Sequence, residues 1–113
     1  MTYEEVLNLQ VSNIVANTQE LIDLVKQSLG IIPTSTAKDQ EISMLIGAGA
    51  ADMIRQDIDV TNHMTDELIQ ATIVMFVKAN FDIFDEATRK RAYNLYIQNC
   101  TNLSLSTSYK GEE

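Results

Sequence analysis

The chain of 113 residues carries 16 acidic and 8 basic side chains, a net charge of −8, and 45 % of its residues are hydrophobic. That is enough apolar chain for one small domain, so wholesale disorder is excluded. The charge opposes ordinary DNA binding, which needs a basic surface facing phosphate; it suits a well-solvated monomer, or a wall past which DNA slides without sticking.

Cys100 is the only cysteine, so neither an intrachain disulfide nor a Cys-based metal site can be assembled, and a reducing cytoplasm is compatible. The opening MTYEEVLNLQ lacks the basic-then-apolar order of a signal peptide. Lys78, Asn80 and Asp82 interrupt the closest approach to a membrane span, residues 68–84. One proline and four glycines force few breaks, and a core built from Ile, Leu, Val, Met and Ala favours helices.

Residues 1–16 read as an N-terminal arm or short helix. Thr2 and Glu5 fit a capping box, and Tyr3, Val6 and Leu7 begin an apolar face, but Asn8, Ser12 and Asn13 weaken its continuation. The segment either lies on its own domain or orders against a partner. Asn17–Leu29 is a clearer helix, capped by Asn17 with Glu20 at the third position, burying Leu21, Leu24, Val25 and Ser28 or Leu29, and stopped by Gly30. IIPTSTAK is then a loop around Pro33.

A second helix covers Thr36–Ile58, starting near Asp39, with Ile42, Leu45, Ile46, Gly49, Met53 and Ile54 on its apolar face. Its GAGAAD segment, residues 47–52, reads as a helix-crossing point: small side chains let another helix come close, and the preceding strand and lysine of a phosphate loop are missing. DIDVTNHM, residues 57–64, is a solvated connector without the glycine and terminal glutamate of a calcium loop.

Thr65–Phe84 is the most apolar stretch. It reads as a helix with Thr65 as N-cap and Asp66 and Glu67 in its first turn. Leu68, Thr72, Met75, Phe76, Ala79 and Ile83 form its main face; Ile69, Ile73, Val77 and Phe84 form a second line beside it. A surface that wide needs cover from several sides, by neighbours in the chain or by a second subunit. Asp85 then caps a last helix with Ala92, Leu95, Tyr96, Asn99 and Leu103 on one face and Tyr93, Ile97 and Cys100 next to it. From Thr101 the chain turns Ser/Thr-rich and reads as a polar tail. Within it Leu103, Leu105 and Tyr109 alternate with polar residues, as in a strand added to a partner's sheet.

No catalytic constellation emerges. His63 sits alone in a connector, Cys100 has apolar neighbours at helical spacing, and the carboxylates are dispersed, so no cofactor or metal is expected. Arg89, Lys90 and Arg91 are the one basic run, in the first turns of a helix where positive charge opposes the dipole. They either pair locally with Asp82, Asp85 and Glu86 or meet an acidic partner. Lys78 and Asp82 mark the polar edge of the central stretch. With Leu105 and Tyr109, these residues are the candidate subunit or partner interface.

The fold expected is all-α: a bundle of about four helices over residues 17–104, a flexible N-terminal segment 1–16 and a polar C-terminal tail 105–113. The runs DQEISMLIGAGAADMIRQDI, TDELIQATIVMFVKANFD and EATRKRAYNLYIQ, in that order, resemble the small head–tail connector (adaptor) proteins of long-tailed bacteriophages over roughly residues 17–104. The N-terminal sixteen residues depart from many members. The resemblance implies a structural virion protein without enzymatic activity. It implies a ring of about twelve subunits under the portal at the capsid vertex, closed through a heterologous interface. Such a ring extends the DNA channel, joins head to stopper or tail-completion protein and helps retain the packaged genome, DNA passing through the lumen without sequence-specific binding. It implies assembly in the host cytoplasm, no membrane partner, and terminal segments that dock on portal and tail proteins. A competing class is a small acidic helical regulatory module that sequesters a DNA-binding partner by charge mimicry; it would stay monomeric or dimeric.

Overall fold

A computed structural model describes residues 18–32, 34–63 and 66–106. They form four α-helices: α1 (Thr18–Leu29), α2 (Asp39–Arg55), α3 (Glu67–Asn80) and α4 (Glu86–Leu105), with a 3-10 turn at Thr61–His63. The all-α class expected from the sequence is what these residues adopt. The expected caps at Asn17 and Thr65, and the arm 1–16, lie outside them.

Both helix ends before α3 close with the same device. Gly30 adopts φ +75°, and the Ile31 and Gly30 amides donate to the Lys26 and Gln27 carbonyls at 2.9 and 3.3 Å. This pair of backward bonds satisfies carbonyls that the helix leaves open, and a left-handed residue is required to make it. At the end of α2 the left-handed residue is Asp57, φ 65°, with Ile58 and Asp57 amides donating to Met53 and Ile54 at 3.1 and 3.0 Å. Aspartate tolerates this conformation better than most L-residues.

α3 starts one residue later than the sequence indicated. Asp66 is the N-cap, its carboxylate accepting the Leu68 and Ile69 amides at 2.9 and 3.4 Å. The helix also stops at Asn80, short of Phe84. Asn80 Nδ2 donates back to the Phe76 carbonyl at 2.8 Å, and Phe81 turns to extended backbone, which sends its ring into the core. The buried face is the line Ile69, Ile73 and Val77, with Thr72 and Val74; Leu68 stays 40 % exposed and Ile83 51 % exposed. The face read as principal is therefore rotated partly outward. α3 is apolar around most of its circumference, so periodicity alone does not choose between adjacent lines.

α2 buries Ile42, Ile46, Gly49, Ala50 and Met53, close to the expected stripe, and α1 buries Leu21, Ile22, Val25 and Lys26. The Lys26 ammonium meets the Asp39 carboxylate at 2.9 Å and so ties the end of α1 to the start of α2. On α4 the buried residues are Ala92, Tyr96, Cys100 and Leu103, whereas Leu95 remains 48 % exposed. α4 continues through Leu105, so residues 101–105 are helix and not tail or added strand. Leu103 falls seven residues after Tyr96, on the same helical face, and its burial extends the helix past the Ser/Thr-rich onset.

The helices cross where the small residues predicted it. A Cβ placed on Gly49 would stand 2.8 Å from Phe76 Cδ1, 2.9 Å from Cγ and 3.2 Å from Cβ. Phe76 cannot swing away freely, because its ring packs edge-on against Tyr96, centroids 5.1 Å apart. Tyr96 in turn donates its hydroxyl to Asp52 Oδ2 at 2.5 Å, back on α2. Gly49 is thus required by close approach. Gly47, two residues earlier, meets nothing within 4 Å.

The two glycines are expected to respond with opposite signs. Gly47→Ala should stabilise the fold by up to ~1 kcal/mol through helix propensity. Gly49→Ala should cost about 1–3 kcal/mol of overpacking, only partly offset by the same propensity gain. Urea unfolding of both variants beside the parent checks this, and equal effects at the two sites would refute the crossing.

Candidate interaction surface

Three contacts bring the C-terminal half of α1, the start of α2 and the end of α3 together at one end of the bundle. They are the Lys26–Asp39 pair, Lys38 Nζ at 6.0 Å from the Phe81 ring, and Lys78 Nζ at 5.4 Å from the Phe84 ring. α4 begins at this end too, after the short 81–85 turn. Six of the seven described basic residues sit here; only Arg55 does not. Asp57, Asp59, Asp66 and Glu67 lie at the opposite end, around the α2–α3 connection. Among the described residues the acidic excess is therefore concentrated at one end of the bundle.

The basic run splits across α4, because consecutive helical residues point about 100° apart. Arg89 and Lys90 line an open depression of about 470 Å³ with Ala79, Glu86 and Tyr93. Arg91 faces the other way and shares a smaller groove of about 170 Å³ with Lys78, over an apolar floor of Met75, Ala92 and Leu95. That groove continues, through the shared Met75 and Lys78, into one of about 250 Å³ between α1 and α3, floored by Leu24, Ala71 and Val74. The structure thus brings Lys78 and Arg91 together, separates them from Arg89 and Lys90, and leaves Asp82 exposed in the α3–α4 turn. Leu105, the last residue of α4, is 77 % exposed. Tyr109 lies outside the described residues.

Local neutralisation of the run is slight. No carboxylate of Asp82, Asp85 or Glu86 comes within ion-pair distance of Arg89, Lys90 or Arg91; the described ion pairs are Lys26–Asp39, Lys38–Glu41 and Arg55–Asp52. The Asp85 carboxylate is occupied as the α4 N-cap, accepting the Thr88 amide at 2.9 Å. Its pKa is held below the ordinary aspartate value chiefly by hydrogen bonds from the Thr88 side chain and backbone, with Arg91 and Arg89 adding a smaller long-range pull. Arg89 Nε is shielded from solvent yet has no hydrogen-bond partner. Such a donor is costly to leave unmatched, and an acceptor from outside the subunit would satisfy it.

Cys100 and Tyr96 are both held inside the bundle. Cys100 is buried, and burial pushes its thiol pKa up, away from the reactive thiolate. Burial and the Asp52 hydrogen bond raise the Tyr96 hydroxyl far above its usual value, so it serves as a fixed donor. Asp52 also accepts from Gln56 Nε2 at 3.0 Å and Arg55 at 3.2 Å. His63 sits half-buried in the 3-10 turn. Among the described residues no three His, Cys, Asp or Glu side chains gather as a metal site would need, and no helix is long and apolar enough to cross a membrane. Sequence reasoning missed the Asp52–Tyr96 tie and the α1–α3 groove. Neither has a local signature, since each joins residues distant in the chain.

Comparison with known protein families gives a match over most of the chain. The family described as phage connector protein aligns with residues 21–112, which takes in α2, α3, α4 and most of α1. No curated protein and no solved structure matches the chain.

The lowered pKa of Asp85 fixes the sign of its pH dependence. Its capping contribution is fully present above the ordinary aspartate range and is lost as pH falls through the folded-state value. An NMR titration should therefore place the Asp85 carboxyl midpoint below that of an unstructured aspartate. Asp85→Asn, which keeps a capping oxygen, should retain α4 and lose this acid-side dependence. A midpoint at or above the ordinary value would contradict the capping geometry.

Proposed function

The chain belongs to the phage connector protein family, and on that footing we propose that it acts as a head–tail adaptor, a ring of about twelve copies seated under the portal. The family is a structural one, so the chain's role is that of a connector-type component of the phage particle. The finer reading is ours. The ring extends the DNA channel below the capsid vertex, joins the portal to the stopper or tail-completion protein and helps hold the packaged genome. Assembly takes place in the bacterial cytoplasm before incorporation into the virion. Residues 17–104 act as the connector domain, and the terminal segments engage the portal or tail partner.

The observation that carries this reading is the family match across the helical bundle. Two features of the surface support it. A ring closes only through a heterologous interface, one patch meeting a different patch on the next copy. The subunit offers such a pair: an end where six basic residues, among them Arg89, Lys90, Arg91 and Lys78 without ion pairs, offset five carboxylates, and an acidic end around Asp57, Asp59, Asp66 and Glu67. Net charge of −8 also gives a lumen that repels phosphate rather than holding it. Basic surface consumed at subunit boundaries would leave that lumen more acidic still.

Two measurements test the proposal together. Purified protein mixed with its portal ring should co-sediment with it, while a regulator would stay monomeric or dimeric and bind one soluble partner instead. The double reversal Arg89→Glu, Arg91→Glu should weaken assembly at least tenfold, about 1.4 kcal/mol, while shifting subunit unfolding little, since neither side chain makes an internal ion pair. Failure to bind the portal would overturn the adaptor reading. Unchanged assembly in the reversed variant would remove the basic run from the interface.

A further inference from the structure

One depression on the bundle gathers three donors that have nothing to bind. Arg89, Lys90 and Tyr93 line it with Ala79 and Glu86, and it opens over about 470 Å³, room for a side chain carried on a loop tip. Arg89 Nε is shielded from solvent without an acceptor. Among the described residues neither Lys90 nor the Tyr93 hydroxyl has a bonding partner, and Tyr93 is half exposed. Glu86 shares the wall but forms no ion pair with either cation, and one carboxylate against two cations leaves a net positive charge. A guanidinium, an ammonium and a phenol on one wall suit a carboxylate, whose two oxygens accept several donors at once.

The other end of the bundle holds a carboxylate that matches. Asp52 is taken by Tyr96, Gln56 and Arg55, Asp59 accepts from Asn62 at 2.7 Å, and Asp66 caps α3. Asp57 is exposed in the turn after α2, and its side chain makes no bond among the described residues. It cannot reach the depression of its own subunit. Tyr96 and Asp52 lie level, joined by their hydrogen bond, and α2 and α4 both run away from the cationic end. Lys90 lies six residues before Tyr96, ~9 Å back along α4, and Asp57 lies five residues beyond Asp52, ~7 Å onward. The two are thus ~16 Å apart along the bundle, so a second copy has to bring them together.

We propose that the depression of Arg89, Lys90 and Tyr93 is the socket for Asp57 of the next copy, one subunit's carboxylate seated among three donors of another. The inference rests on the head-to-tail reading above and names its contact. The patches differ on the two sides, as a heterologous interface requires. Each is left unmatched in the lone subunit, so pairing them removes an unsatisfied donor as well as joining opposite charges. A DNA phosphate offers similar acceptors, but the chain's net charge of −8 repels it while leaving Asp57 abundant for the neighbour.

A zero-length carbodiimide, which joins carboxylates to amines in direct contact, tests this on an equal mixture of unlabelled and nitrogen-15-labelled full chains. The expected product is an amide between Asp57 of one chain and Lys90 of another, found in mixed light–heavy pairs. Asp57→Asn keeps a residue that tolerates the left-handed backbone, so it should leave subunit unfolding unchanged while weakening self-association at least tenfold. Copies carrying Asp57→Asn mixed with copies carrying Arg89→Gln and Lys90→Gln retain one intact contact per pair, so the mixture should form pairs that do not grow. Absence of the Asp57–Lys90 link, undiminished self-association of Asp57→Asn, growth of the mixture beyond pairs, or suppression of the link by duplex DNA would each overturn the proposal. The link without portal binding would remove the adaptor reading and leave this contact standing; portal binding without the link would do the reverse.

Discussion

The bundle depends on one close approach. Phe76 of α3 lies against the backbone of α2 at Gly49, where no side chain would fit. The ring is held there by Tyr96 of α4, and Tyr96 is held by its hydrogen bond to Asp52, one turn along α2 from Gly49. Three helices are thus locked through four residues. The hydroxyl of Tyr96 is buried, so its bond to Asp52 is strengthened by the low local dielectric and would be costly to break. Buried aliphatic side chains, each worth about 1.5–3 kcal/mol, fill in around this crossing but do not by themselves fix the angle at which the helices meet.

That crossing decides which surfaces are left for partners. With Phe76 turned toward α2 and Tyr96, the residues one step round α3, Ala71, Met75 and Lys78, face outward between α1 and α4. Antiparallel α3 and α4, joined by a short turn, bring Lys78 and the 89–91 run to the same end. The connection before α3 collects acidic residues at the other. The subunit is consequently polar along its length, with a two-ended charge pattern that suits head-to-tail contact between copies.

Much of this was legible in the sequence, and the failures share a cause. The stop at Gly30, the start near Asp39, the cap at Asp85 and the small-residue crossing at Gly49 are local signals, and each is where the pattern put it. The face of α3 was misread by one step because Leu68, Ile69, Thr72, Ile73, Met75 and Phe76 offer two nearly equal lines, and only contact with α2 and α4 selects between them. The tail reading at Thr101 trusted composition, whereas burial of Leu103 carries α4 onward to Leu105. For the interface, the residue types were readable but their grouping was not. Whether Arg91 shares a groove with Lys78 or with Arg89 depends on the rotation of α4, which rests on Tyr96 finding Asp52 some forty residues away.

The most direct test of the connector role is electron cryomicroscopy of the neck of the intact virion. The account predicts a closed ring immediately below the portal, built from copies of this four-helix subunit, with the Arg89–Arg91 end of each copy against the acidic end of the next. A neck in which this chain is absent, or present as isolated copies without subunit-to-subunit contact, would contradict it.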